Sequence, residues 1–226
     1  MVNHFVFSAF VVFIVTLLAG IYFTAKPKNS VEKSFGLFWL SVSFWTFFVG
    51  TQLELLKWLS GFKWGWFLHV GCILVPIFFL HFALRLTGTF ERFSFWLKLA
   101  GFIGTLFVLL NTFTNRFTAE TIYRDFYAYP KPAVLYPLYI LFFQLIGIAT
   151  LILLLGWSKK LPGNLKGTFY LFLVVHILAY IGSMDNYLIM YDVKIFPLYP
   201  YGLYLVLPYV IFGSSAVRKL QVSAQS

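Results

Sequence analysis

The sequence predicts an all-α, polytopic membrane protein, a bundle of seven transmembrane helices, and three observations carry that prediction. Hydrophobic residues make up 61% of the 226, whereas a soluble globular domain averages about 45–50%. Charged residues are 11%, against about 25% in soluble domains. The apolar residues also fall into runs of about 20, the length a helix needs to cross the hydrocarbon of a bilayer. So much apolar surface cannot be hidden inside a water-soluble fold of this size, so lipid must cover it. Seven spans with short connections use nearly the whole chain and leave no room in it for a soluble catalytic domain.

The spans read as 4–24, 34–57, 65–86, 95–114, 134–157, 168–190 and 197–217, with 218–226 a short tail. No Lys or Arg precedes the first span, and Lys26, Lys28 and Lys33 follow it. A signal peptide carries its positive charge before its apolar core, so this run reads as a retained helix with its N-terminus outside. Pro27-Lys28-Asn29-Ser30, Ser60-Gly61 and Leu161-Pro162-Gly163-Asn164 supply turn chemistry between spans. The longest connection, 115–133, mixes Arg116, Glu120, Arg124 and Asp125 with Tyr123, Tyr127 and Tyr129. It reads either as a lid over the bundle or as a solvated linker. No internal repeat is present, so an inverted-repeat transporter is not suggested.

Basic residues set the expected orientation. Lys26, Lys28, Lys33, Arg85, Arg92, Lys98, Lys159, Lys160, Lys166, Arg218 and Lys219 fall on one side, and Lys57, Lys63, Arg116, Arg124, Lys131 and Lys194 on the other. Eleven against six places the C-terminus in the cytoplasm by the positive-inside rule. The net charge of +10 is then a topology signal, and no nucleic-acid partner is expected. Tryptophans crowd the span boundaries, as expected of indole at headgroup level.

Chemistry is sparse. The single cysteine, Cys72, lies in an apolar run, and no Cys/His cluster has metal-ligand spacing. No zincin helix, phosphate-binding loop or nucleophile elbow occurs, and the seventh span has no lysine for a retinal Schiff base. No metal, cofactor or catalytic residue is expected. Polar groups inside spans are the candidates that remain, because each charge costs about 2.5–3.5 kcal/mol at a helix centre. Glu54, His69, Asn111, Asp185, Asn186, Tyr199 and Tyr201 share one level near the outer surface. They suggest an outward-facing ligand pocket. The alternative is that Glu54 and Asp185 snorkel to the headgroups. His81 and Arg85, four residues apart, share a helix face. With His176 they suggest an inner polar contact between the third and sixth spans, or simply packed side chains. Pro76 and Pro208 lie inside spans and serve as kinks or hinges. Gly147, Gly182 and Gly213 suit close helix approach.

Several segments resemble the N-terminal seven-transmembrane region of bacterial sensor histidine kinases. Phe35-Gly36-Leu37-Phe38-Trp39-Leu40-Ser41-Val42-Ser43-Phe44-Trp45 is similar to the family's F-x-x-F-x-x-S-x-x-x-W run. Pro76-Ile77-Phe78-Phe79-Leu80-His81-Phe82 resembles its P-x-x-x-x-H-F. Ile195-Phe196-Pro197 resembles the opening of its seventh span, and Ala216-Val217-Arg218-Lys219-Leu220-Gln221-Val222 its exit. The resemblance implies a sensory domain in the bacterial inner membrane. It would detect an external or membrane signal and pass it through the seventh helix to a cytoplasmic kinase module, in cis or in trans, with a homodimer as a further partner. The kinase's own motifs have no counterpart in these residues, so the chain is not expected to catalyse. The competing expectations are a small-solute carrier or channel, and an assembly subunit for other membrane proteins. The tail reads equally as a continuing helix or as a frayed end.

Overall fold

The computed structural model describes residues 4–55, 64–124, 127–191 and 201–223; within these, the side chains of Phe5, Gln52–Leu55, Trp64–Trp66, Glu120–Arg124, Tyr127–Tyr129, Asp185, Asn186, Ile189, Val222 and Ser223 are not described. Among the described residues seven helices are long and apolar enough to cross a membrane, and the protein is an all-α, multi-pass membrane protein. Six are α1 (His4–Ala25), α2 (Ser30–Leu55), α3 (Trp64–Leu86), α4 (Phe90–Phe113), α5 (Tyr136–Ser158) and α6 (Gly163–Met190). The seventh span is composite: a 3₁₀ turn Gly202–Leu205, a short α7 (Val206–Pro208), a π-helical turn Tyr209–Gly213, and α8 (Ser214–Ser223). Proline at 208 has no N–H to give and its ring crowds the preceding turn. The chain meets that by switching hydrogen-bond register, and such π-bulges often mark functional sites.

Several helices begin earlier than their apolar runs. The span read as starting at 34 starts at Ser30, because Asn29 caps it: the Glu32 amide donates to Asn29 Oδ1 at 3.0 Å, and Lys33 N–H donates to Asn29 O at 3.2 Å. The span read from 95 starts at Phe90, just past Gly88, whose φ of 68° makes the turn. The span read from 168 starts at Gly163, after Pro162. Apolar runs mark the hydrocarbon slab, whereas capping and turns set where a helix ends. For the span read as 197–217, Gly202 is the first helical residue described, and residues 192–200 lie outside the described part.

The 115–133 connection folds as a β-hairpin. β1 (Thr118–Arg124) pairs antiparallel with β2 (Tyr127–Pro132), with a bulge between Thr118 and Thr121. β2 lies against α2 and α6. Phe117, fully buried, and Asn111 anchor its first strand: Thr118 donates to Asn111 Oδ1 at 3.1 Å.

Burial sorts the helices. α2 has 78% of its best apolar window buried and α4 only 17%, so α2 is the inner post and α4 is peripheral. α2 packs on α1 and α3, α3 also on α4 and α5, and the seventh span on α6. Aromatic rings fill the centre. Trp39 and Tyr209 sit 4.9 Å apart between ring centroids, and Phe35 and Phe82 4.8 Å. Such pairs add about 0.5–1.5 kcal/mol each beyond area burial. Leu141, Leu145 and Ile148 on α5, and Phe102, Leu106 and Leu109 on α4, point outward, as surfaces solvated by lipid should.

Candidate functional site

Halfway along the bundle the helices do not close on one another. A cavity of about 80 Å³ lies among α2, α3, α5, α6 and the seventh span. One water needs about 10–15 Å³ of such space, so the cavity is several waters large. Trp45 and Phe38 reach it from α2, Phe79 and Pro76 from α3, Phe143 and Gly147 from α5, and Tyr209 from the seventh span. α6 supplies His176, Ala179, Tyr180, Ser183 and Tyr187, whose spacings of three and four residues put them on one helix face.

Two features open this space. Gly147 and Ala179 present no bulk, and a Cβ built on Gly147 meets nothing within 4 Å. That corrects the packing expectation for Gly147. Gly182 meets it: a Cβ there would lie 2.2 Å from the Gly202 carbonyl oxygen, so only glycine lets the seventh span start against α6. Gly213 is crowded by Tyr209 of its own span rather than by a neighbouring helix.

The cavity's floor is a stack. His176 lies flat on Phe79, with centroids 4.0 Å apart and planes 12° from parallel, and Tyr209 meets it edge-on at 5.1 Å. Three residues that line the cavity bury a polar atom with no protein partner: Trp45 Nε1, His176 Nδ1 and Tyr209 Oη. Buried polar atoms are nearly always hydrogen-bonded, and each one left without a partner costs about 1–3 kcal/mol. The cavity wall itself is almost wholly apolar, and the three atoms are sealed behind it; a small turn of each ring would bring its polar atom to a molecule held there.

The predicted site residues are scattered relative to this cavity. His69 is buried toward the hairpin end, with Nε2 3.3 Å from Tyr136 Oη, which donates to Met190 Sδ at 3.0 Å. Asn111 is buried there too and holds the hairpin. Tyr201 is exposed, its ring 6.1 Å from that of His4. The side chains of Glu54, Asp185 and Asn186, and all of Tyr199, lie outside the described residues. His81 and Arg85 do share a face, but both turn to Phe90 of α4: the His81 ring is 5.5 Å from it and the Arg85 guanidinium 3.3 Å above it. They do not join His176, which meets α3 through the ring of Phe79. The cation–π contact satisfies Arg85 locally, and that draws the pair away from α6. Pro76 and His176, expected as hinge and inner contact, are the predicted residues that line the cavity.

Tyr180, Tyr187 and Tyr209 were not singled out from sequence, and Trp45 entered only as the closing residue of the F-x-x-F-x-x-S-x-x-x-W resemblance. Aromatic residues are 22% of the chain, so no single one stands out. The one legible signal was the small and polar face of α6 running from His176 through Ala179 to Ser183.

The opposite end of the bundle carries a second polar cluster. The Lys28 amide donates to Glu32 Oε2 at 2.8 Å, while the Glu32 amide donates to Asn29 Oδ1. Gln221 of α8 joins it, donating to Glu32 Oε1 at 3.0 Å and accepting from Asn29 Nδ2 at 3.3 Å. Arg218 donates to Tyr22 Oη and lies over its ring. The tail is therefore helical through Ser223 and tied to α1 and α2.

Fold and site define a multi-pass helical membrane protein with an aromatic cavity inside the bundle. Comparison with protein-family models, curated proteins and solved structures finds no match.

Proposed function

We propose that this chain is a membrane-embedded receptor module, the sensory domain of a histidine-kinase-type signalling protein. It takes a signal molecule in the central cavity and passes the response along the seventh span to a cytoplasmic kinase module, in cis or in trans, working as a homodimer. Its place is the bacterial inner membrane, N-terminus outside and C-terminus in the cytoplasm. The observation that carries this reading is the position of Tyr209. It is both a wall of the cavity and the first residue of the π-helical turn, and the same span ends in the Gln221–Glu32 contact. A ligand touching Tyr209 acts on the irregular turn that sets the rotation of α8. A π-bulge holds one residue more than the α-helix it interrupts, so tightening it turns the helix beyond by about 100°. The ligand shifts that equilibrium only by as much as it favours one arrangement over the other.

The test fuses a kinase core after Ser226 through zero to four inserted residues. Autophosphorylation should rise and fall with the helical repeat of about 3.6 residues. Pro208→Ala, which restores the missing N–H, should move the optimum by about one inserted residue. Activity indifferent to insertion length and to Pro208→Ala would remove the receptor reading.

A further inference from the structure

We infer that the cavity takes a planar ring bearing hydrogen-bonding oxygens, the head of an amphiphile dissolved in the bilayer, and that this ring enters sideways between α5 and α6. The inference rests on the receptor reading for its purpose and names the ligand class of the same cavity.

The chemistry of the walls selects the ring. Phe79, His176, Tyr209 and Trp45 offer flat faces and edges, against which an aromatic or quinoid ring stacks. The indole Nε1 of Trp45 can only donate, so its partner must be an acceptor. Tyr209 Oη can donate as well, and His176 Nδ1 takes either role according to its tautomer. These atoms are sealed from the cavity in this structure; a ring with oxygens on two sides satisfies the set once the three side chains turn toward it, whereas an alkyl chain alone leaves all three atoms unpaired.

The route follows from the packing. The backbones of α5 and α6 make almost no close approach and are joined by side chains. Phe143 stacks on Tyr180 at 5.9 Å, Tyr139 Oη lies 2.9 Å from Tyr187 Oη, and Tyr180 donates to Gln144. A cleft of about 180 Å³ lies in this seam beside Gln144 and Met184. It shares Phe143 and Tyr187 with the cavity, so two side chains separate the two spaces. Leu141, Leu145 and Ile148 on one flank and Ile177, Leu178 and Ile181 on the other are exposed, as lipid-facing residues are.

The test uses the full chain in phosphatidylcholine nanodiscs, with a photoactivatable azidoubiquinone carrying a ten-carbon tail as the probe. Labelling should saturate, fall in the peptides that carry Trp45, His176 or Tyr209, and be competed by decylubiquinone. Gly147→Leu puts a side chain into the cavity from a position whose Cβ meets nothing within 4 Å. It should cut labelling about ten-fold or more while the melting temperature without probe holds or rises. Gln144→Leu, which frees Tyr180, should speed labelling without changing its plateau. Unsaturable labelling spread over the outward faces of α4 and α5, or labelling indifferent to Gly147→Leu, overturns the site. An unchanged rate in Gln144→Leu overturns the route. None of these readouts involves a kinase. Labelling without phase-dependent output would therefore sink the receptor reading alone, and phase-dependent output without labelling would sink this inference alone.

Discussion

The side-chain amide of Gln221 donates to Glu32 Oε1 across 189 residues of sequence at 3.0 Å, and both side chains are buried. The last helix is thus held to the first turn of α2 by a bond inside that helix's own cap. Gln221→Leu removes this donor and also the acceptor of Asn29. It should lower stability by about 1–3 kcal/mol, because Glu32 stays buried with a bond missing. Asn29→Ala, which loses the cap, should cost about 1 kcal/mol. Chemical unfolding in mild detergent, followed by helical circular dichroism, measures both. Equal stability of Gln221→Leu and the native chain would show that the contact holds nothing.

Glycine at 182 is a packing requirement and glycine at 147 is not. Gly182→Ala forces a Cβ to 2.2 Å from a backbone oxygen. Overpacking of this kind typically costs about 1–3 kcal/mol. Gly147→Ala meets no atom within 4 Å and should raise stability by up to about 1 kcal/mol through helix propensity. Paired melting curves should therefore move in opposite directions, and a shift of the same sign in both would contradict the packing described.

The hairpin is held by Asn111. In Asn111→Ala the buried Thr118 hydroxyl loses its acceptor, and the strand that begins there loosens. Trypsin should then cut after the exposed Arg116 several-fold faster, on the order of the ~1 kcal/mol such a bond contributes. Identical cleavage rates in the two proteins would mean the bond does not secure the hairpin.

Orientation is open to a direct check. Reporter fusions after Lys28, Phe90, Lys160 and Ser226 should report cytoplasm, and fusions after Phe62 and Glu120 should report the exterior, as the split of basic residues requires. A cytoplasmic signal after Glu120 would invert the arrangement and place the hairpin inside the cell.

What the sequence determined by itself is the class of molecule and the number of spans. Both depend on one-dimensional quantities, the length and hydropathy of each apolar run, and the bilayer imposes its thickness on every helix alike. Helix starts were missed by four or five residues at Ser30, Phe90 and Gly163, because hydropathy does not see the caps and turns of Asn29, Gly88 and Pro162. The hairpin was missed as well, although β-branched and aromatic residues at Thr118, Thr121, Ile122 and Tyr123 are strand-forming types.

Only the tertiary structure decided which faces turn inward. With lipid outside, an inward and an outward face are both apolar, so the periodic contrast that marks a buried face in water is weak. Tyr209 and Phe212, three residues apart in one span, show this: one is buried in the cavity wall and the other is half exposed. The same holds for the polar residues. Depth along a helix was readable from sequence and put His69 and Asn111 near one end. Rotation about the axis was not, and it is rotation that sends His81 to Phe90 while His176 meets Phe79 and Tyr209.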